Sequence, residues 1–123
     1  MSATDFRSLC EQVLAHLAAR NLRLVTVDSC TGGMICAALT DIAGSSSVIE
    51  GGLVTYSNAL KSSAAGVPAD TLIRYGAASE ETERAMAEGG LWHAADVTIA
   101  VSVTWIAGPG GGRAEKPVGT VCL

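Results

Sequence analysis

Apolar residues recur at Phe6, Leu9, Cys10, Val13, Leu14 and Leu17 in steps of three and four. That spacing stacks them on one helical face and predicts an amphipathic helix over residues 4–20. Asn21 is suited to end it in a left-handed turn. The pattern then changes. Residues 22–27 crowd leucine and β-branched side chains without helical spacing, which predicts a short buried strand aimed at Asp28. A turn over 28–33 follows, and the Ala, Met, Ile and Leu of 34–39 predict a second helix.

Beyond a loop at 43–47, residues 48–56 predict a second strand, with Gly51 and Gly52 marking a bulge or a close backbone approach. Ser57 or Asn58 caps a helix running through Ala65. Pro68 is placed to be the first residue of a short helix ending at Tyr75, which Gly76 stops. Ser79, with Glu80 and Glu81 after it, opens a helix expected to reach about His93, since a hydroxyl and negative charge both suit a helix start. In residues 96–104, Val97, Ile99, Val101 and Val103 alternate with smaller residues, as in a central strand covered on both faces. Residues 117–123 predict a last strand, whose edge would need a neighbouring element or a second chain to cover it, hence an expected homodimer or else marginal stability. Alternating strands and helices predict an α/β fold: a three-layer α/β/α sandwich with a mostly parallel or mixed sheet of four to five strands.

Composition narrows the function classes. A chain of 123 residues with 49% apolar and 16% charged residues suits one compact domain, residues 1–123. Twelve acidic against eight basic residues, with no run of Lys or Arg, disfavour nucleic-acid binding. The longest apolar stretch, 97–107, is too short to cross a bilayer, so no membrane partner is expected. Cys10, Cys30, Cys36 and Cys122 lack zinc-knuckle or redox-dithiol spacing, and His16 and His93 stand apart from other ligand types, so no metal or cofactor is expected. Reduced thiols and the absence of a secretory pattern at the N-terminus predict a cytoplasmic protein. Trp92 reads as helix packing.

Three segments carry the candidate chemistry. Asp28-Ser29-Cys30-Thr31-Gly32-Gly33 joins a strand to a helix, where a hydroxyl meets converging N–H groups that can stabilise an oxyanion; alternatively, Ser29 or Thr31 is an ordinary helix cap. Tyr56-Ser57-Asn58-Ala59-Leu60-Lys61 places one of only two lysines a turn beyond a strand. A desolvated Lys61 amine can take a proton from a serine, with Tyr56 relaying it; the alternative is a solvated surface lysine. The third, 104–112, is a glycine-rich loop after the central strand, equally a ligand cradle or a plain connection. Trp105 in it is large enough to line or block a pocket.

In this order, Ser29-Cys30-Thr31-Gly32-Gly33, then Gly51-Gly52-Leu53-Val54-Thr55-Tyr56-Ser57-Asn58 with Lys61, then Ile106-Ala107-Gly108-Pro109-Gly110-Gly111 through Lys116-Pro117-Val118-Gly119-Thr120-Val121, the chain resembles the CinA C-terminal domain family of nicotinamide mononucleotide deamidases. The resemblance implies hydrolysis of the carboxamide of that nucleotide, a small-molecule substrate, to nicotinic acid mononucleotide and ammonia in pyridine nucleotide recycling. It implies Ser29 as nucleophile, Lys61 as general base and Tyr56 as proton relay, without a metal or cofactor. Thr31, Gly32, Gly33, Gly44, Asn58, Thr104, Ala107, Gly108 and Gly110 would surround the substrate. The chain departs from the family pattern at Trp105, where glycine is usual, and in lacking the family's closing segment and its arginine. These departures define an alternative: a nucleotide-binding or oligomer-forming relative without turnover.

Overall fold

A computed structural model describes residues 2–93, 95–105 and 121–122. The elements are α1 (Ala3–Ala19), β1 (Leu24–Asp28), α2 (Met34–Thr40), a 3-10 turn (Ser45–Ser47), β2 (Ile49–Val54), α3 (Asn58–Ala65), α4 (Ala69–Tyr75), α5 (Glu80–Leu91), β3 (Ile99–Trp105) and β4 (Val121–Cys122). The sheet order is β2-β1-β3-β4. β1 pairs in parallel with both β2 and β3, and β4 runs antiparallel to β3. This is the expected mixed α/β sheet of four strands, and β3 is internal.

Side chains alternate across β1 and so divide the core in two. Leu24 packs with Cys10, Leu14, Leu39, Val48 and Ile49 under α1 and α2. Val27 packs with Ala65, Val67 and Met86 under α3 and α5. Two adjacent glycines let α5 approach its neighbours. A Cβ on Gly90 would come within 2.8 Å of Val27 Cγ2, and one on Gly89 within 1.6 Å of the Ala65 carbonyl oxygen. The glycine pair of β2 answers both expectations raised for it. Glu50 is skipped in the β1–β2 register, a bulge, and a Cβ on Gly52 would meet Thr26 Oγ1 at 2.5 Å.

Local chemistry explains most boundaries. Ser2 and Asp5 close α1 with a reciprocal capping box, and Asn21 takes φ 53° after it. Ser57 and Ser79 cap α3 and α5 through bonds to Leu60 N and Thr82 N. Several expectations shift. Pro68 is the cap of α4, not its first residue, because its ψ of 137° is extended. Helix α5 ends at Leu91, so Trp92 lies past it and is 87% exposed, not packed. β1 starts at Leu24, two residues late, and β2 stops at Val54, leaving Thr55 and Tyr56 in the turn that follows. The apolar stripe of α1 is buried at Cys10 and Leu14, while Phe6, Leu9 and Val13 border an apolar groove of about 330 Å³ with Ile99 and Val101 of β3. No described helix is long and apolar enough to cross a membrane.

Candidate active site

In a parallel sheet the strands present their carboxyl ends along one edge, where loops meet helix starts. Asp28 closes β1 there and is 1% exposed. Its Oδ1 accepts from Cys30 N at 2.9 Å and Thr31 N at 2.7 Å, and its Oδ2 from Gly33 N at 3.2 Å and from the Thr31 hydroxyl. Burial pushes this carboxyl up, but the bonds from Thr31, Cys30 and Gly33 outweigh it and hold Asp28 below its ordinary value. Asp28 therefore ties the turn as an anion. Gly32 and Gly33, at φ 73° and 101°, supply the left-handed backbone that folds the turn over it.

Asp28→Ala is expected to destabilise the fold by about 2–4 kcal/mol, because three amides lose their acceptor. A carboxyl with a depressed folded pKa contributes stability that is present above its unfolded value and lost as pH falls through the folded one. The variant should thus show a shallower acid-side loss of melting temperature than wild type. Equal slopes would mean that Asp28 does not hold the turn as an anion.

Gly33 is the N-cap of α2 and has no side chain to offer, so a hydroxyl earlier in the turn meets the helix start. Thr31 Oγ1 accepts from Met34 N at 3.1 Å and serves α2, whereas Ser29 bonds to no amide of the helix. Ser29 Oγ donates to Val103 O at 3.3 Å, and Ser29 N reaches the same carbonyl at 2.9 Å. Two residues beyond Val27, Ser29 continues the alternation of β1 on the face covered by α3 and α5. The neighbouring Cys30 is no rival nucleophile. Burial, with the charges of Asp28 and Glu83, pushes its thiol up to about 11, so it stays protonated.

Lys61 is the second element of the site. Thr55 N extends the β1–β2 ladder to Asp28 O at 2.9 Å, so the turn into α3 lies beside the Ser29 turn at the same edge. Lys61 and Ala65, one helical turn apart, are the buried residues of α3, and Ala65 packs in the Val27 core. Ser29 and Lys61 thereby share both an edge and a face of the sheet. Lys61 is not the solvated surface lysine of the alternative reading: it is 3% exposed. Its Nζ donates to Tyr56 O at 3.0 Å and Asn58 Oδ1 at 3.5 Å, and no carboxylate pairs with it among the described residues. Burial pulls its pKa below the ordinary lysine value.

The other expected site residues divide. Tyr56 contributes its carbonyl to Lys61, while its ring is 69% exposed at the same edge. Asn58 is the first residue of α3 and holds Lys61. Thr104 is buried at the end of β3 and donates to Ala77 O at 3.1 Å. Gly44 is not brought to this edge. It caps the 3-10 turn before the amino end of β2, roughly 20 Å along the strand direction from Ser29 at about 3.3 Å per residue. Ala107, Gly108 and Gly110 lie outside the described residues. Trp105, half-exposed, ends β3. Among the described residues no three His, Cys, Asp or Glu side chains cluster as metal ligands.

One residue escaped the sequence reading. Glu83 of α5 is buried beneath this turn, with Ser102 Oγ 2.8 Å from its Oε2. Burial pushes its carboxyl up to about 7; the Ser102 bond pulls it down and the Asp28 charge adds to the rise. The only signal in the chain was helical phase, because Glu83 follows Ser79 and Thr82 on the face that reaches Met86 and Gly90.

The family model of the CinA C-terminal domain matches residues 6–123. The chain belongs to that family. It is 51% identical over 121 residues to a protein of Enterobacter agglomerans named nicotinamide-nucleotide amidohydrolase PncC, covering 98% of this chain and 73% of that one. The protein of that name from Escherichia coli K12 is 49% identical over the same length and coverage. A CinA-like protein of Akkermansia muciniphila is 51% identical over 116 residues, 94% of this chain but 28% of its own length. The chain thus spans little more than a quarter of that relative. Among solved CinA-type structures, competence/damage inducible protein CihA from Agrobacterium tumefaciens superposes with a TM-score of 0.88 at 47% identity, over 95% of this chain and 70% of that one. A CinA superfamily protein from Escherichia coli gives 0.89 at 34% identity, over 98% and 70%. The CinA fold is therefore that of the chain, and its carboxyl edge carries the Ser29 and Lys61 turns.

Proposed function

We propose that this chain is an amidohydrolase acting on the carboxamide of nicotinamide mononucleotide, with Ser29 as nucleophile and Lys61 as its base. One observation carries the reading: a buried lysine with no counter-ion among the described residues sits on the same face and edge of the sheet as a buried serine that caps nothing. An ammonium so placed is costly, and burial shifts Lys61 towards the neutral amine, the form that accepts a proton. The relatives named as nicotinamide-nucleotide amidohydrolases supply the substrate.

In this scheme Ser29 Oγ attacks the carboxamide carbon while its proton passes to Lys61 Nζ, with the Tyr56 phenol as relay. Gly32 N, the amide of the turn without an acceptor among the described residues, is the donor for the developing oxyanion. The carbon–nitrogen bond then breaks, and ammonia leaves with the proton from Lys61. Water attacks the resulting ester and gives a proton to Lys61; the bond to Ser29 Oγ breaks as Lys61 returns that proton to it, and the nucleotide acid departs, losing its own proton to solvent as the carboxylate.

Ammonia release from the purified chain tests this directly. Wild type should exceed Ser29→Ala by several orders of magnitude, because the nucleophile has no substitute while Cys30 stays protonated. No release above that variant would end the enzymatic reading. Tight nucleotide binding without release would instead favour the binding relative that Trp105 suggests.

A further inference from the structure

Glu83 presents an accounting problem that the proposed mechanism does not use. Ser102 Oγ lies 2.7 Å from the Glu83 carbonyl oxygen and 2.8 Å from Glu83 Oε2. Three oxygens meet there, and a hydroxyl brings one proton. If Ser102 gives that proton to the carbonyl oxygen, the contact to Oε2 needs a proton from the carboxyl itself. The other carboxyl oxygen, Oε1, is enclosed and has no partner among the described residues. Half of a carboxylate left bare in the interior is far more costly than the bare C=O of a neutral acid.

We propose that Glu83 is a positioning residue that works uncharged: as a neutral acid bonded to Ser102 it underlies the Asp28–Thr31 turn, and loss of its proton would set a second carboxylate against Asp28 and displace the turn that presents Ser29. Its surroundings fit. β1 contributes Asp28, the anion that already organises the turn through four hydrogen bonds. The turn contributes the Cys30 thiol and β3 the Ser102 hydroxyl, both neutral. From α3, Lys61 is committed to Tyr56 O and Asn58 and makes no ion pair with Glu83. On α4, Asp70 and Arg74 face each other at 3.8 Å on the surface. Among the described residues nothing cationic offsets a charge on Glu83, in keeping with the rise of its carboxyl to about 7. The effect on turnover rests on the amidohydrolase reading; the effect on the turn does not.

A pH titration of the isotopically labelled full chain by NMR, from about pH 5 to pH 9, separates the two. The Glu83 carboxyl carbon should titrate near neutrality, and the Cys30 and Thr31 amide resonances, both bonded to Asp28, should move with the same midpoint. In Glu83→Gln, which keeps the shape of the neutral acid, those amides should stay at their acid-side positions throughout. A Glu83 carboxyl that titrates in the ordinary glutamate range overturns the inference, as do turn amides that stay still while it titrates. Wild type alone decides both points, so a poorly folded variant does not protect the idea. In the ammonia assay, kcat/KM of wild type should fall on the alkaline side of this midpoint by up to about tenfold per pH unit relative to Glu83→Gln. If no ammonia is released at all, the activity is refuted and the amide shifts still judge Glu83.

Discussion

Replacing Lys61 by methionine is expected to cut ammonia release by about a hundred- to ten-thousandfold while leaving the chain folded and, at neutral pH, more stable than wild type. Most losses of a catalytic side chain are read against some loss of structure. Here the two effects have opposite signs. Methionine fills much the same volume with apolar atoms, so the site beside Ala65 stays packed, and the cost of an enclosed ammonium disappears. The pH dependence identifies the cause. A lysine whose folded pKa lies below its unfolded value penalises the fold below the folded pKa, and stability recovers as pH rises from there towards the unfolded value near 10.5. Wild type should show that alkaline gain in urea denaturation, and Lys61→Met should not. Full ammonia release by the variant would remove Lys61 from the mechanism.

Gly89→Ala should destabilise the chain by about 3 kcal/mol or more, measured by chemical denaturation. Helix propensity alone argues the other way, since alanine inside a helix is worth about 1 kcal/mol over glycine. Contact decides the sign. The new methyl would stand 1.6 Å from the carbonyl oxygen of Ala65, and that neighbour is backbone, which cannot rotate aside. Helix α3 would have to retreat from α5. Because Lys61 lies one turn before Ala65, the same shift would carry its amine away from the sheet edge, so ammonia release should fall along with stability. A stable Gly89→Ala would mean that α3 and α5 are not so closely packed.

What the sequence disclosed depended on the range of the interaction that decides each feature. Caps and turns are local, so Ser57, Ser79 and the left-handed Asn21 were legible from neighbours two or three residues away. The α/β class followed from alternation of strand and helix patterns, and the bulge in β2 from Gly51 and Gly52. Burial of a single polar residue is set by distant elements, and there the reading divided. Lys61 remained open between a desolvated and a solvated position until the packing of α3 showed it to be buried. Glu83 was missed because a glutamate three residues into a helix start looks like dipole complementation; only its contact with Ser102 on β3 shows otherwise. Trp92 was misjudged because size favours burial, yet α5 ends one residue before it. Gly44 came from resemblance alone, and the direction of β2 places it at the far end of the strand.

The protonated state of Cys30 bears on how this edge can be targeted. With its thiol pushed up to about 11, Cys30 stays protonated at neutral pH, so haloacetamides and other soft alkylating agents have little to attack next to the serine. Hard electrophiles that capture alkoxides, such as boronates and phosphonates, meet no such competition. A covalent ligand designed for this edge should therefore be built around oxygen chemistry, leaving thiol-directed warheads for Cys36 on the flank of α2.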